Sequence, residues 1–280
     1  MDSEHSQLTT DILIVGAGLA GLACAIRLAR ASAGEKQILL LEKSAHPGGH
    51  LLSGAVLRPE ALKTILTDDE YAGLPFGPAV RRESFHALTP RHSFRLPFVP
   101  PKMRMKGLPL VSVSALGRAL AKIAEDLGVE LMTSQTADAL VWEGDRVAGV
   151  RCEDDRILAP VTVLAEGPAG LLTRELLARR PEMRGANGPS HALGFKELIE
   201  IPVRPGSAGT VAHTFGFPLG LGLYGGGFIY HVDDAQVALG LAIALDGADP
   251  APHLHELFRA WKRHPLVQMH IDGGKTIGYG

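Results

Sequence analysis

Three glycines and one acid near the N-terminus have the types and the spacing to hold a dinucleotide. Gly16, Gly18 and Gly21 form a Gly-x-Gly-x-x-Gly motif, and Glu42 follows 21 residues after the last of them. Glycines at such a turn let backbone amides approach a pyrophosphate, and an acid at that distance accepts hydrogen bonds from ribose hydroxyls. The acid also disfavours a 2′-phosphate, so the pattern argues against NADP at this site.

The elements that must position these residues are also present. The apolar run 11–15 predicts a buried parallel strand, and the spacing of apolar residues over 22–33 predicts a helix. A second strand is predicted over 37–41 and ends at Glu42. A glycine-rich turn in an ordinary α/β unit is the competing interpretation. The strand, helix, second strand and terminal acid together favour a dinucleotide-binding βαβ unit.

Two further patterns favour FAD over NAD. Lys43 follows the acid, and the glycine pair at 48 and 49 comes shortly after it. This order is typical of FAD enzymes of the glutathione-reductase type, in which the chain passes close to the extended flavin. Glu166 and Gly167 follow an apolar strand predicted over 161–164, which is a second feature of such proteins. Lys43, Gly49, Glu166 and Gly167 are therefore predicted to contact the cofactor.

The remaining sequence predicts an α/β fold with a second, β-rich part. The fold class is an FAD-binding Rossmann-like domain of the glutathione-reductase type with an inserted β-rich (α+β) domain. The predicted elements are a short helix over 59–66, a loop to residue 78, a helix over 114–127, a β-meander over 129–163, a strand over 161–165, a helix over 169–179 and long strands from about 190 onward.

One segment combines bases with apolar residues. Residues 84–123 contain no aspartate or glutamate but seven lysines and arginines. Within it, Phe94, Leu96, Phe98 and Val99 alternate with prolines and bases. Such a segment suits a loop that enters an anionic membrane face. The alternative is a solvated basic hairpin whose apolar residues pack against the second domain.

Composition excludes several classes of protein. Hydrophobic residues make up 46% of the 280, which is enough for a folded core. A net charge of −2 argues against a nucleic-acid binder. Cys24 and Cys152 are the two cysteines, so neither a disulfide framework nor a four-cysteine metal site fits within this chain. No general base or covalent nucleophile is identifiable, and a redox cofactor needs neither.

The N-terminus carries acids and no bases over residues 1–10. This pattern lacks the features of a secretory signal or an organelle transit peptide. The apolar run 12–26 is 15 residues long, which is short for a membrane span. We therefore predict a protein made in the cytoplasm.

Several segments resemble the electron-transfer flavoprotein–ubiquinone oxidoreductases and follow one another in that family's order. They are residues 49–59, 194–198, 224–231, 261–265 and 273–280. The Tyr-Gly-Gly and Gly-Gly-Lys blocks are the specific ones, whereas the dinucleotide turn alone is not. The resemblance adds His50, Ser53 and Gly54 to the predicted FAD contacts.

The resemblance implies electron transfer from reduced electron-transfer flavoprotein, through FAD, to ubiquinone in the membrane. By position, Tyr224, Gly225 and Gly226 would contact the quinone, and the family's membrane hairpin falls on 85–107. The protein would then lie peripherally on the cytoplasmic side of the inner membrane. The implied domains are an FAD domain in two parts (1–84 and 108–189), the quinone- and membrane-side hairpin (85–107) and an incomplete quinone-binding domain (190–280).

The family pattern continues beyond Gly280 with the cysteines of a 4Fe-4S cluster, so the resemblance implies that this chain is part of a longer or split protein. Two alternatives stay open. One is a related flavin reductase of the geranylgeranyl-reductase or nitrogen-fixation type, which needs no cluster. The other is a fragment without activity that binds FAD weakly.

Overall fold

The computed structural model describes residues 7–49, 51, 54–168, 170–185, 191–220, 222–245 and 254–280. The strands in these residues are β1 (Gln7–Thr9), β2 (Ile12–Val15), β3 (Ile38–Leu41), β4 (Ala55–Val56), β5 (Phe76–Ala79), β6 (Arg82–Leu88), β7 (Ser93–Arg95), β8 (Pro109–Val111), β9 (Glu130–Met132), β10 (Ala139–Glu143), β11 (Arg146–Cys152), β12 (Asp155–Leu158), β13 (Val161–Leu164), β14 (Ala192–Glu200), β15 (Thr210–Gly216), β16 (Gly225–His231), β17 (Gln236–Ala244) and β18 (Lys275–Tyr279). The helices are α1 (Leu19–Ser32), α2 (Glu60–Lys63), α3 (Asp68–Ala72), α4 (Val113–Asp126), α5 (Leu171–Arg179), α6 (Leu254–Lys262) and α7 (Pro265–Ile271). Two 3₁₀ helices cover Pro101–Met103 and Pro181–Met183.

The chain divides into two compact units. Unit 1 comprises Met1–Leu51, Glu60–Pro75 and Val113–Gly188. Unit 2 comprises Leu52–Pro59, Phe76–Ser112 and Pro189–Gly280.

Unit 1 is built on a parallel sheet in the order β13-β2-β3-β9. All four residues of β3 are buried, as expected for a parallel strand that is covered on both faces. Helix α1 connects β2 to β3 and buries Leu22, Ala25 and Ile26 along one stripe. The predicted βαβ unit is therefore present, and its glycine motif lies between β2 and α1.

A second sheet of unit 1 has the order β1-β12-β11-β10. The predicted meander over 129–163 is wrong in its first part, because β9 pairs in parallel with β3 instead of joining β10. Only β10, β11 and β12 form antiparallel neighbours. A short strand carries no local signal of its pairing, since its partner lies about ninety residues earlier in the chain. Residues 68–72, predicted as loop, form α3 behind a capping box of Thr67 and Glu70.

Unit 2 contains a seven-stranded sheet in the order β18-β14-β17-β16-β15-β6-β7. Its neighbouring strands are antiparallel except for the parallel pair β15 and β6. Strands β4, β8 and β5 form a separate small antiparallel sheet. The β-rich character predicted from about residue 190 is observed, and the sheet also takes in residues 82–95.

Trp261 on α6 anchors the helical part of unit 2 to this sheet. It is fully buried, and its indole N–H donates a hydrogen bond to Thr214 Oγ1 at 2.9 Å. A Cβ at Gly227 would lie 2.3 Å from two atoms of the indole ring. The ring therefore occupies the space that a side chain at position 227 would need, which accounts for one glycine of the glycine-rich β16.

The structural units differ from the predicted domain boundaries. Residues 52–59, 76–84 and 108–112 belong to unit 2, although the sequence assigned them to the FAD domain. The reason is long-range pairing, since β4 and β5 pair with β8, and β6 pairs with β15 more than a hundred residues later. The boundary predicted at 190 lies one residue from the division at Gly188 and Pro189.

Candidate functional site

The glycine motif forms a tight turn at the end of β2. Gly16 has φ +106°, a conformation that favours glycine, and a Cβ there would lie 2.5 Å from the Ala165 carbonyl oxygen. A Cβ at Gly21 would lie 1.9 Å from the Gly16 carbonyl oxygen. These two glycines are therefore required by the packing of the turn against α1 and the end of β13.

Gly18 differs from the other two glycines. A Cβ at Gly18 would meet no atom within 4 Å, and its φ of −71° is accessible to any residue. Packing inside the chain therefore does not require glycine here. The open space at Gly18, next to the N-terminus of α1, fits a group such as a pyrophosphate that approaches the backbone.

Glu42 lies at the end of β3 and is buried. Its Oε2 accepts a hydrogen bond from the Ala17 N–H at 3.0 Å. Its Oε1 accepts from both the backbone N–H and the hydroxyl of Ser44, each at 2.8 Å. The carboxylate is therefore held beside the glycine turn, where the motif requires it.

These residues line a cavity of about 530 Å³ in unit 1. This volume is within the usual range of small-molecule and cofactor sites. The lining includes Gly16, Ala17, Gly18, Glu42, Lys43, Gly48, Gln135, Glu166, Gly167 and Arg174. Six of the predicted cofactor residues thus meet in one cavity: Gly16, Gly18, Glu42, Lys43, Glu166 and Gly167.

Glu166 has a local structural partner. Its carboxylate accepts hydrogen bonds from the Leu172 N–H at 2.9 Å and from the N–H and hydroxyl of Thr173, each at 2.8 Å. These amides belong to the first turn of α5, so Glu166 caps that helix. Gly167, with φ +74°, makes the turn between them.

Three predicted contacts lie elsewhere. Gly49 packs against Ser44 and His46, and it is exposed. Gly54 belongs to unit 2, where a Cβ would lie 2.4 Å from Ala238 Cβ, so the sheet explains this glycine. Gly21 shapes the turn without lining the cavity. His50 and Ser53 lie outside the described residues.

Arg174 is a cavity residue that the sequence analysis missed. It lies in the first turns of α5 and lines the cavity, and none of the predicted motifs includes it. A cation near a helix N-terminus opposes the helix dipole, and this was a usable signal in the sequence. With Lys43 it gives the cavity two cationic side chains that can face an anionic ligand.

The predicted quinone segment lies on β16 in unit 2. Tyr224 is 88% exposed. A Cβ at Gly225 would lie 2.3 Å from the Ala242 carbonyl oxygen, and one at Gly226 would lie 2.4 Å from the Thr214 carbonyl oxygen. Close packing between strands is therefore a sufficient reason for both glycines.

The same sheet holds buried titratable groups that no motif indicated. Lys196 donates to the Gly54 carbonyl oxygen and lies 5.5 Å from the Phe228 ring centroid. Burial lowers the pKa of Lys196 to about 8. His213 Nε2 lies 2.9 Å from the Tyr230 hydroxyl, and burial lowers the pKa of His213 to about 4 and raises that of Tyr230 to about 12.

The basic hairpin (85–107) presents part of its apolar side chains to solvent. Phe94 and Phe98 are 58% and 57% exposed, whereas Leu96 and Val99 are half-buried. Its strands β6 and β7 are antiparallel neighbours at one edge of the seven-stranded sheet. No helix among the described residues is long and apolar enough to cross a membrane.

A metal site is not found in the described part of the chain. No three histidine, cysteine, aspartate or glutamate residues group there as metal ligands would. Cys24 lies on α1 and Cys152 lies on β11, and both thiols are free. Burial raises the pKa of each thiol, which disfavours the thiolate needed for metal ligation.

Comparison with known proteins identifies the relationships of both units. Residues 14–65 match a family model described as NAD(P)-binding Rossmann-like domain. Residues 191–280 match one described as ETF-QO, ubiquinone-binding. The electron transfer flavoprotein-ubiquinone oxidoreductase of Dictyostelium discoideum is 35% identical over 96% of this chain, and that of Pseudomonas aeruginosa is 34% identical over 99%.

Along nearly its whole length, this chain is similar to the electron transfer flavoprotein-ubiquinone oxidoreductases. The resemblance found in the sequence is thereby confirmed. The chain spans about half the length of these relatives, 48% of the first and 55% of the second.

The fold of this chain has known structural counterparts. A geranylgeranyl bacteriochlorophyll reductase-like protein from Thermoplasma acidophilum superposes with a TM-score of 0.70. The match covers 98% of this chain and 66% of that one at 15% sequence identity. This likeness shows the fold alone, and together with the Rossmann-like match it confirms the predicted α/β class.

Proposed function

We propose that this chain provides the FAD-binding and quinone-side parts of an oxidoreductase that passes electrons from reduced electron transfer flavoprotein to ubiquinone. The observation that carries the proposal is the identity of about 35% to oxidoreductases of this name along almost the whole chain. The ubiquinone-binding match over residues 191–280 adds support from unit 2. The geranylgeranyl-reductase alternative gains only a likeness of fold.

The cavity of unit 1 fits FAD. Gly18 leaves open space at the N-terminus of α1 for the pyrophosphate, and Glu42, which lines the same cavity, would hold the adenosine ribose. Lys43 and Arg174 balance the phosphate charges. Bound FAD supplies the capacity to accept and release electrons. The protein's part is to hold the cofactor, and Glu166 contributes by fixing the first turn of α5.

In unit 2 we assign the quinone to the β16 segment. Gly225 and Gly226 would contact it through the backbone, and Tyr224 is exposed beside them. We also propose that the basic hairpin makes peripheral contact with the membrane through Phe94, Leu96, Phe98 and Val99. The exposed aromatic rings and the adjacent bases support this contact.

A 4Fe-4S cluster does not fit this chain. Such a cluster needs four ligands, usually cysteine thiolates, and the chain has two cysteines. They lie on separate elements, α1 and β11. The two cysteines of this chain therefore cannot hold such a cluster by themselves.

The proposal is tested by steady-state turnover. The FAD-loaded chain is mixed with electron transfer flavoprotein, its reducing enzyme and a water-soluble ubiquinone analogue. Quinone reduction that requires both electron transfer flavoprotein and the FAD-loaded chain supports the proposal. Reduction of a prenyl lipid without reduction of the quinone would replace it with the geranylgeranyl-reductase alternative, and failure to bind FAD would favour an inactive fragment.

Replacing Arg174 by glutamine is expected to weaken FAD binding by roughly three- to tenfold. The side chain lines the cavity, and the loss of one charge beside a phosphate is worth about 1 kcal/mol in a partly exposed site. Titration with FAD, followed by flavin fluorescence, measures the change. Arg184→Gln is the matched control, because Arg184 is exposed in unit 1 outside the cavity. Equal affinities for both variants would contradict a role for Arg174.

A further inference from the structure

Unit 2 contains a second cavity, of about 480 Å³, which the basic hairpin lines in part. We call it the basic cavity. Its charged lining consists of one acid, Glu83, and five bases: Arg81, Arg82, Arg95, Arg104 and Lys106. Five positive charges and one negative charge leave a formal charge of +4 around a space large enough for a small ligand.

The single acid is already engaged. Glu83 Oε2 accepts hydrogen bonds from the backbone N–H groups of Met105 and Lys106, at 2.7 and 3.1 Å. These bonds fix the position of the segment that carries Arg104 and Lys106. Glu83 therefore organises one wall of the cavity.

Three of the bases are positioned by hydrogen bonds to uncharged oxygen atoms. Arg81 donates to the Ala208 carbonyl oxygen at 2.9 Å, and Arg104 Nε donates to the Val99 carbonyl oxygen at 3.3 Å. Arg82 donates to Thr210 Oγ1 at 3.3 Å and to the Gly206 carbonyl oxygen. Within the part of the chain that the structure describes, no ion pair joins any of the five bases to an acid.

One histidine also lines the cavity. His86 lines the cavity, and its Nδ1 is buried without a hydrogen-bond partner among the described residues. Burial lowers the pKa of His86, and the nearby charge of Arg95 lowers it further. The ring therefore stays neutral at physiological pH, and the binding capacity for an anion rests with the arginines and Lys106.

The cavity also has an apolar edge. Leu96, Phe98 and Val99 of the basic hairpin contribute to its lining. Phe98 is at the same time more than half exposed, as is Phe94 on β7. A ligand that matches both features carries a phosphate next to hydrocarbon, which describes a phospholipid better than a soluble phosphate ester.

We propose that the basic cavity receives the phosphate of an anionic phospholipid headgroup while Phe94 and Phe98 enter the adjoining interfacial layer of the membrane. This inference rests on the peripheral membrane contact proposed above and adds to it a defined headgroup site. Bidentate guanidinium groups suit the phosphate oxygens, and a cluster of bases beside aromatic residues suits an anionic surface.

The test compares two double variants in vesicle co-sedimentation. R95Q/K106Q removes two charges from the basic cavity, and R91Q/K102Q removes two exposed charges from the same hairpin outside it. The vesicles contain phosphatidylcholine alone or with phosphatidylglycerol. We expect native protein to prefer anionic vesicles and R95Q/K106Q to lose about 25-fold in partitioning, because in the proposed site each of these two bases lies at the headgroup phosphate and contributes about 1 kcal/mol, or fivefold, whereas Arg91 and Lys102 lie outside it. The control should lose less than about fivefold.

Three results would overturn the inference. An equal loss of vesicle partitioning in both double variants would show that the positive charge of the surface attracts the membrane without a defined headgroup site. Equal binding of native protein to neutral and anionic vesicles would remove the headgroup preference. If inorganic phosphate abolished vesicle binding and the protein showed no preference for anionic vesicles, the cavity would be a site for a free anion. Turnover of the water-soluble quinone needs no vesicle, so failure of this inference and failure of the proposed function are distinguishable.

Discussion

Replacing Gly18 by alanine is expected to lower the affinity for FAD at least tenfold while leaving the folded protein as stable as before. The added methyl group meets no protein atom within 4 Å, and the backbone conformation suits alanine. It does, however, project into the space proposed for the pyrophosphate. The loss of at least about 1.4 kcal/mol of binding is measured by FAD titration, with thermal unfolding of the apoprotein alongside.

Two other glycines serve as controls that distinguish a contact with the ligand from a packing contact within the protein. Gly21→Ala should lower both the stability and the affinity, because its Cβ would lie 1.9 Å from the Gly16 carbonyl oxygen. Gly222→Ala should change neither, since a Cβ there also meets nothing within 4 Å. If Gly18→Ala bound FAD as tightly as the native chain, the pyrophosphate would not lie at this turn.

Acidification is expected to destabilise unit 2 between about pH 6.5 and pH 4. His213, His231 and His270 each have a pKa lowered from 6.5 to about 4, chiefly by burial. His231 Nε2 lies 2.8 Å from His270 Nδ1, so charging one ring also opposes charging the other. Arg204 adds to this effect at both rings.

The direction follows from proton uptake on unfolding. Between pH 4 and 6.5 the unfolded chain binds these protons and the folded chain does not, so the free energy of unfolding falls as the pH falls through this window. Each histidine contributes a slope of up to about 1.4 kcal/mol per pH unit. Above pH 6.5 the contribution to stability is complete and independent of pH.

Chemical denaturation at a series of pH values, followed by circular dichroism, measures this slope. His270→Gln should reduce it, because the substitution removes one titrating ring from the pair. His92→Gln is the control, since His92 is exposed on the basic hairpin and should leave the slope unchanged. A free energy of unfolding that stayed constant from pH 7 to pH 5 would refute the assignment.

The parts of the site that the sequence could predict are those encoded locally. Gly16, Gly18, Gly21 and Glu42 are read from one βαβ unit, whose strands are apolar throughout and whose helix follows at once. The convergence of Gly16, Gly18 and Glu42 in a single cavity follows from that local order. Sheet pairing over long distances has no such local signal. For this reason the sequence placed β9 in a meander and residues 76–84 in the FAD domain.

At some positions the sequence singled out the right residue, but the structural reason for that residue type was not predictable. Gly54, Gly225 and Gly226 fit a resemblance to ligand-contacting glycines, yet each is also explained by a close approach to a neighbouring strand or side chain. Glu166 was singled out by its place at a strand end, and its carboxylate caps the helix that follows. A backbone approach between strands is visible only in three dimensions, because the two partners are separate in sequence.

The most direct test of the central claim is an anaerobic single-turnover experiment on the FAD-loaded chain. Reduced electron transfer flavoprotein is added first, then a water-soluble ubiquinone analogue, and the flavin absorbance of the chain is followed. We expect bleaching on the first addition and recovery on the second, and we expect Gly18→Ala to load FAD with at least tenfold lower affinity. A chain that loads FAD but is not bleached by the reduced flavoprotein, or is bleached and does not recover with quinone, would contradict the proposed electron transfer.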